Sequence, residues 1–138
     1  MSIRESKEVV RRYYELLNRR DLNCNSLIAP TFVSHRTTGD VLRKDIDKGL
    51  EMLFKAFSDL HVTIEQVVAE EDMISFREVA TGRHTGEFMG IPPTGKSFKM
   101  INACTLKVVD GKWAEAWTTM DDLNMLQQIG VIPPLGQK

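Results

Sequence analysis

Two adjacent carboxylates, Asp121 and Asp122, stand where a predicted strand gives way to a predicted helix. A carboxylate that loses hydration at the end of a strand becomes a useful general base. Asp121 is therefore the candidate catalytic residue, whereas Asp122 is placed to cap a helix in which Leu123, Leu126 and Ile129 keep helical spacing. An aspartate at such a junction is also a common helix cap, so a structural role for Asp121 is the competing interpretation.

The strand before these acids belongs to a predicted hairpin that turns at Asp110-Gly111, two residues that tolerate the positive φ angles of a type I′ turn. A two-residue turn pairs Val109 with Lys112, and alternation then assigns every side chain to a face. The predicted inner face, mixed in character as a ligand pocket is, holds Met100, Asn102, Cys104, Leu106, Val108, Trp113, Glu115, Trp117, Thr119 and Asp121. The predicted outer face holds Lys99, Ile101, Ala103, Thr105, Lys107, Ala114, Ala116, Thr118 and Met120.

Length and composition limit the classes of protein to which this chain can belong. The chain has 138 residues, of which 42% are hydrophobic and 27% charged, and this predicts one globular domain spanning residues 1–138. A net charge of -1 without a basic stripe argues against nucleic acid as a partner. We expect no membrane segment and a cytoplasmic location, because the N-terminus lacks the apolar core of a signal peptide. Cys24 and Cys104 fit neither a disulfide framework nor a zinc site, so no metal is expected.

Helical and alternating periodicities place the remaining elements. Ser2 and Glu5 form a capping box for a helix that ends near Asn18, and an apolar stripe predicts another helix over about residues 43–57. The other predicted elements are a short helical segment at 21–28, a strand at 32–35, a loop at 37–40, and strands at 60–64, 73–85 and 98–109. Hairpin-joined strands with helices gathered on one side indicate an α+β fold, in which a strongly curved sheet wraps against the helices to form a cone.

The chain also resembles a known family. The segment Thr81 to Lys96 (TGRHTGEFMGIPPTGK), the turn Asp110-Gly111-Lys112, Trp117, and Asp121-Asp122-Leu123 before Leu126 to Gly130 are similar to the SnoaL-like polyketide cyclases of the nuclear transport factor 2-like superfamily. The resemblance covers almost the whole chain and implies the cone-shaped α+β fold. Two positions depart from the family pattern: Ala116 stands where a histidine commonly precedes the tryptophan, and Cys104 where His or Asp is frequent.

This resemblance implies a function. In the cyclases that the chain resembles, an aspartate matching Asp121 is the general acid/base of an intramolecular aldol ring closure, without a metal or a cofactor. It further implies a small hydrophobic carbonyl or polyketide-like ligand and a homodimer formed through the outer sheet face. The candidate substrate-binding residues are His35, Arg77, His84, Asn102, Cys104, Trp117 and Thr119. Because the superfamily also contains an isomerase, a hydrolase and members without a known reaction, a related enzyme or a non-catalytic binding module is the alternative.

Several of these candidates also have structural interpretations. A tryptophan such as Trp117 usually supplies buried area, and a lone histidine at a strand end, as at His35 or His84, usually makes structural hydrogen bonds. Arg77 either binds a substrate carboxylate or pairs with a neighbouring glutamate, and the sequence does not choose between these roles. Cys104 has no adjacent base and fits a small buried apolar residue better than a nucleophile.

Overall fold

The computed structural model describes residues 2–134 and residue 136 of the chain. Its helices are α1 (Ile3–Asn18), α2 (Arg43–Ala56) and α3 (Asp122–Gln128), with a short 3-10 helix at Leu22–Leu27. Its strands are β1 (Ile28–Arg36), β2 (Gly39–Leu42), β3 (His61–Glu70), β4 (Met73–Arg83), β5 (Ser97–Val109) and β6 (Lys112–Thr119). They form one curved, unclosed mixed sheet in the order β2-β1-β6-β5-β4-β3, so the predicted α+β class is confirmed.

Helix α1 begins where the sequence predicts. The Ser2 hydroxyl accepts a hydrogen bond from the Glu5 backbone N–H at 3.1 Å, and the Ser2 backbone N–H donates to the Glu5 carboxylate at 3.3 Å. The last helical residue, Asn18, fastens the helix to β3, because its side chain both donates to and accepts from the Val62 backbone at 2.8 Å. The helix therefore packs its apolar side on the face of the sheet that we call the inner face.

The segment after β1 differs from its prediction. A loop was predicted at residues 37–40, but Gly39–Leu42 forms β2 and pairs with β1 through Val33 opposite Leu42. Thr37 and Thr38 suffice for the turn because Gly39 adopts a φ of +124°, a conformation that side-chain-bearing residues rarely reach. The prediction was wrong because a short, exposed edge strand carries almost no hydrophobic pattern.

The hairpin between β5 and β6 begins as predicted and then departs from the prediction. Asp110 and Gly111 both have positive φ, 51° and 77°, and Val109 pairs with Lys112. One strand position later, however, a β-bulge shifts the register, so that Lys107 lies opposite Glu115. An extra residue in one strand reverses the face of every residue after it.

Because of the bulge, the side chains of β6 that follow it lie on the opposite faces from those predicted. On the inner face, Ala116 lies opposite Leu106 and Thr118 opposite Cys104, so the prediction that placed these two residues outside is wrong. Glu115, Trp117 and Thr119, which were predicted to face inward, lie on the outer face. The β5 half of the inner face is as predicted, since Met100, Asn102, Cys104, Leu106 and Val108 are all buried.

The core beneath the inner face is aromatic. Trp113 is 5% exposed and packs against Tyr13 with 4.0 Å between ring centroids. Tyr14, Phe32 and Phe76 complete this cluster. Of the two tryptophans on β6, only Trp113 therefore belongs to the core, because Trp117 is 41% exposed.

Candidate functional site

Four predicted site residues meet at one open cleft where β6 ends and the chain crosses to α3. The cleft has a volume of about 300 Å³ and is lined by Arg77, Ile101, Asn102, Ala103, Thr119, Met120 and Asp121. Its walls combine apolar side chains with one carboxylate, one amide, one hydroxyl and one guanidinium. This is the composition expected of a site that holds a largely apolar ligand in a fixed orientation.

Asp121 lies at the entrance of this cleft and not in its depth. Its carboxylate is exposed and accepts a hydrogen bond from the Asn124 backbone N–H at 3.3 Å, which makes it the N-cap of α3. The predicted burial of Asp121 is therefore wrong, and so is the assignment of the cap to Asp122, which occupies the first turn of the helix. The reason is again the bulge, which carries the end of β6 to the outer face.

Asn102 connects this cleft with the interior. It is 3% exposed, and its side-chain oxygen accepts a hydrogen bond from the Asp121 backbone N–H at 3.0 Å. On β4 its direct cross-strand neighbour is Glu78, and Asn102 lowers the pKa of that carboxyl slightly against the effect of burial. Asn102 thus contacts the Asp121 backbone and lies opposite Glu78.

Glu78 is the residue that the sequence analysis missed. It is partly buried on the inner face, where its carboxylate accepts a hydrogen bond from the Tyr14 hydroxyl at 2.7 Å. Burial raises the pKa of Glu78, and the hydrogen bonds from Tyr14 and Asn102 together with the charge of Arg36 only partly offset that effect. Burial is also the main reason why the pKa of Tyr14 is raised well above its ordinary value.

A signal for Glu78 was present in the sequence. Along β4 the buried positions alternate as Ile74, Phe76 and Ala80, and Glu78 occupies an inward position in that series. An acid at an apolar, inward position of a strand is rare unless it is hydrogen-bonded or functional. The sequence pattern suggests a neighbouring glutamate only as an ion-pair partner for Arg77, but Arg77 donates a hydrogen bond to the side-chain oxygen of Gln66 at 3.1 Å.

Cys104 lies further inside, on the inner face beside Thr118. The two side chains are in contact, with 3.6 Å between the sulfur and the hydroxyl oxygen. Burial raises the pKa of the Cys104 thiol to about 12. A thiol in this state is a poor nucleophile, which agrees with the structural interpretation of the residue.

His35 and Trp117 lie together on the outer face, away from the inner-face polar residues. The His35 ring bridges two acids, with Nε2 2.6 Å from a Glu115 carboxylate oxygen and Nδ1 3.0 Å from one of Asp40. These hydrogen bonds, the one to Glu115 first, raise the pKa of His35. Its ring centroid is 5.6 Å from that of Trp117. Neither side chain lines the cleft that contains Asp121.

His84 fastens the loop between β4 and β5. It is fully buried, and its Nδ1 accepts a hydrogen bond from the Thr94 backbone N–H at 3.2 Å. The loop also needs Gly86, because a Cβ atom there would lie 2.1 Å from the carbonyl oxygen of Lys55. This part of the glycine- and proline-rich segment therefore has a structural role.

Comparison with known proteins decides the family. The family model for SnoaL-like polyketide cyclases matches residues 7–129, which is nearly the whole chain. The chain belongs to this family. The resemblance drawn from the motif at residues 81–96 and from the Asp121 region is confirmed.

Solved structures of SnoaL-like proteins agree with this assignment. AclR from Streptomyces galilaeus, provisionally assigned as a hydroxylase, is 31% identical with a TM-score of 0.89, covering 99% of this chain and 87% of its own. IdmH from Streptomyces antibioticus, provisionally assigned as a polyketide cyclase, is 34% identical with a TM-score of 0.80, covering 91% and 99%. TsrD from Streptomyces laurentii, 20% identical with a TM-score of 0.85 and coverage of 96% and 99%, shows the fold alone.

No curated protein matches the chain in sequence. Within residues 2–134 and 136, no helix is both long and apolar enough to cross a membrane. Among the same residues, the acidic, histidine and cysteine side chains form no group of three or more with the arrangement of a metal site. Because AclR and IdmH carry different provisional assignments, the SnoaL-like fold does not by itself fix the reaction, which must be argued from the site.

Two carboxylates of this SnoaL-like protein lie beside Asn102 at different depths. Asp121 is exposed at the cleft, whereas Glu78 is partly buried beside Tyr14 on the inner face. Burial raises the pKa of Glu78, and a carboxyl group with a raised pKa is a candidate for proton transfer. Proton transfer is therefore a chemistry that these side chains can offer.

Proposed function

We propose that this protein is a polyketide cyclase-type enzyme that catalyses an intramolecular aldol ring closure of a hydrophobic, polyketide-like carbonyl substrate. Asp121 is the general base in this proposal. The observation that carries it is that Asp121 and Asn102, joined by a hydrogen bond of 3.0 Å, line the same cleft of about 300 Å³. Family membership and the likeness to IdmH support a cyclase-type reaction.

The reaction follows from what the cleft offers. The Asp121 carboxylate removes a proton from a carbon flanked by carbonyl groups, and the electron pair delocalises into an enolate. The enolate carbon attacks a second carbonyl carbon, a carbon–carbon bond forms, and the resulting alkoxide takes up a proton. Each step is redox-neutral, so the proposed closure calls for positioning and proton transfer and for no added cofactor.

The apolar wall of the cleft provides the positioning. Ile101, Ala103 and Met120 line it and offer contact area for a folded carbon chain. In this proposal the Thr119 hydroxyl, which also lines the cleft, hydrogen-bonds to a substrate carbonyl. In this proposal Arg77, which lines the cleft and donates a hydrogen bond to the neutral side chain of Gln66, also binds a carboxylate of the substrate.

The test is a comparison of two neighbouring variants on a substrate found by screening β-dicarbonyl compounds and polyketide-like esters for ring closure. Asp121→Asn keeps a good helix cap and removes the base, so turnover should fall by ~10²–10⁴-fold with little loss of stability. Asp122→Asn is the matched control, because it changes the same charge one residue away and should leave turnover within about twofold. Wild-type turnover by Asp121→Asn would make Asp121 a structural cap and the proposed mechanism wrong.

We also propose a homodimer that forms through the outer sheet face. This face exposes Trp117 at 41%, and the proposed contact is centred on Trp117, so that Ile101 and Ala103 stay free to line the cleft. Apolar side chains clustered on a sheet face are suited to pack against a second copy in a twofold arrangement. Sedimentation that gives a monomer mass at tens of micromolar protein would contradict this assembly.

A further inference from the structure

We propose that Gln66, on a bulge of β3, is a positioning residue that holds the Arg77 guanidinium for a substrate carboxylate, so that the cleft selects free carboxylic acids over their neutral analogues. The inference rests on the proposed function for the reaction and for the role of Arg77. It adds the residue that orients Arg77 and the chemical feature by which substrates are sorted. Gln66 lies outside the lining of the cleft, so it acts through Arg77.

Arg77 stands at one end of a row of residues that crosses three strands. Arg77 on β4 pairs with Ala103 on β5, and Ala103 pairs with Thr119 on β6. All three line the cleft, and Asp121 follows Thr119 by two residues. Two strand spacings, about 10 Å, separate the backbones of Arg77 and Thr119, and the small side chain of Ala103 fills little of the space between them. A ligand that crosses this row meets a positive charge at one end and the Asp121 carboxylate at the other.

The Arg77 guanidinium has no acidic partner among the residues that the structure describes. Glu65 lies directly opposite Arg77 on β3, but neither its carboxylate nor any other described one is within ion-pair distance of Arg77. Arg77 is also partly buried. A cation that has lost part of its hydration without gaining an ion pair is disfavoured, and an anion that enters the cleft offsets that loss.

The hydrogen bond to Gln66 leaves one edge of the guanidinium open for this anion. Nη1 of Arg77 donates to the side-chain oxygen of Gln66 at 3.1 Å, the one hydrogen bond that the Arg77 side chain makes to residues 2–134 and 136. A guanidinium is planar and carries five N–H donors, so Nε and Nη2 remain as a pair that matches the two oxygens of a carboxylate. Holding Nη1 restricts the plane of the group and with it the direction of that pair.

The neutral charge of Gln66 is part of this argument. An amide oxygen orients the guanidinium without cancelling its charge, whereas a glutamate at the same position would occupy the charge itself. Glu65, the neighbouring residue on β3, offers such a carboxylate and does not pair with Arg77. The arrangement therefore suits the binding of an external anion better than it suits an ion pair within the sheet.

The backbone of Gln66 indicates that its side chain is needed. Its φ angle is +52°, and the register of β3 against β4 shifts between Glu65 and Val68, which marks a β-bulge. Glycine reaches a positive φ at a bulge without strain, whereas glutamine does not. Gln66 is the one described non-glycine residue with positive φ inside a strand, because the others lie in turns: Arg20, Glu71, Met89 and Asp110. Backbone strain of this kind is a reason to look for a function of the side chain.

The first test measures the affinity for two probes that differ in charge. 2-Naphthoate is an aromatic carboxylate, and 2-naphthamide is its neutral analogue of nearly the same shape. Calorimetric titration at neutral pH should show that the wild-type protein binds naphthoate at least ~10-fold more tightly than naphthamide. Arg77→Met should abolish this preference. Wild-type protein that binds the two probes equally, or binds neither, overturns the inference.

Gln66→Gly separates the positioning role from a structural one. Relief of the strained φ offsets the greater freedom of the unfolded chain, so the melting temperature should stay near that of wild type. The preference for naphthoate should nevertheless fall below ~3-fold, because the guanidinium is no longer held. A residue that served only the bulge would leave the preference unchanged. A Gln66→Gly variant with the full wild-type preference contradicts the inference.

Gln66→Glu keeps the length of the side chain and guards against misfolding of Gln66→Gly. Its carboxylate should pair with Arg77 and also remove the preference for naphthoate. Lys112→Gln is the control for the loss of one positive charge, because Lys112 is exposed at the end of β6 that is opposite to the cleft, and it should keep the wild-type preference. Equal preferences in Gln66→Glu and Lys112→Gln would overturn the inference.

The second test uses ring closure, with a screened substrate prepared both as the free acid and as its methyl ester. For the acid, Gln66→Gly should raise KM by ~3–10-fold and leave kcat within about twofold, and for the ester both constants should stay as in wild type. The two proposals fail separately. If Gln66 and Arg77 determine the naphthoate preference but no screened compound closes, only the proposed reaction fails. If closure depends on Asp121 but Gln66→Gly treats acid and ester as wild type does, only the role of Gln66 fails.

Discussion

The two faces of the sheet each carry a hydrogen-bonded group of titratable residues, and the two groups differ in what shifts their pKa values. On the inner face, burial raises the pKa of Glu78 against the pull of its hydrogen bonds. On the outer face, the hydrogen bonds to Glu115 and Asp40 raise the pKa of His35 against the effect of burial. The comparison shows that one sheet creates a desolvated acid and a solvated base within a few strands.

The two tryptophans of β6 show the same contrast in packing. Trp113 is 5% exposed in the aromatic core, whereas Trp117 is 41% exposed beside His35. They stand four residues apart on one strand, a spacing that would place them on the same face without the bulge. Identical side chains on one strand therefore have different roles, one in stability and one on a surface.

The largest predicted difference between the two faces comes from replacing each tryptophan in turn. Trp113→Ala should cost ~3–5 kcal/mol of unfolding free energy, because it opens a cavity against Tyr13 and Phe32. Trp117→Ala should cost less than about 1 kcal/mol, as an exposed change does. Urea denaturation followed by circular dichroism measures both values. Equal losses would show that the two faces are packed alike.

A second prediction concerns the outer face as a contact surface. Trp117→Glu should weaken the proposed dimer by more than ~10-fold, since it places a charge where an exposed aromatic residue would pack against its copy. Met52→Glu is the control, because Met52 is 49% exposed on α2, away from the outer sheet face. Sedimentation equilibrium compares the two variants. Equal dissociation constants would remove the outer face from the interface.

A third prediction compares the adjacent acids at the start of α3. Asp121→Ala should cost ~1 kcal/mol because it removes the hydrogen bond to the Asn124 backbone N–H, whereas Asp122→Ala should cost less than half as much. This order is the reverse of the one that the sequence predicts. Thermal unfolding of the two variants decides it, and a larger loss in Asp122→Ala would restore the sequence-based assignment.

The smallest predicted effect is the pH dependence of stability that His35 contributes through its partners Glu115 and Asp40 on the outer face. A raised pKa in the folded protein means that protonated His35 stabilises the fold below its ordinary value of 6.5, and that this contribution is lost as pH rises through the folded-state pKa. His35→Gln should therefore lower the melting temperature at acid pH and match wild type at alkaline pH. His61→Gln replaces an exposed histidine on β3 and is the control for the loss of an imidazole elsewhere on the sheet. A deficit in His35→Gln that is constant with pH contradicts the assignment.

Much of the fold was predictable because local signals agree with it. The Ser2–Glu5 capping box, the Asp110-Gly111 turn and the alternation along β5 are short-range patterns with a definite geometry, and the structure has all of them. Strand β2 was missed because four exposed residues at a sheet edge bury too little to leave a pattern. The parallel pairing of β1 with β6 was also beyond local signals, because it joins segments about eighty residues apart.

The site was harder to predict for two physical reasons. The β-bulge carries no strong sequence mark, since Ala114 is compatible with a regular strand, and it moved Trp117 and Thr119 to the outer face. The properties of Glu78 depend on Tyr14, which is 64 residues away in the sequence and which α1 brings into contact with it. A residue that acquires its character from a distant partner has no local motif, although its inward position was a usable warning.

The bulge also decides how the residues of β6 correspond between related chains. Loss of the extra residue, Ala114, would restore a regular pairing with Glu115 opposite Lys107 and Ala116 opposite Leu106, so the lining of the cone would stay the same. A strand of the present length that lost the bulge would instead turn Glu115 and Trp117 inward and Ala116 and Thr118 outward. In relatives that share this fold, a one-residue difference in length beside this turn therefore changes the alignment of β6 without changing its faces.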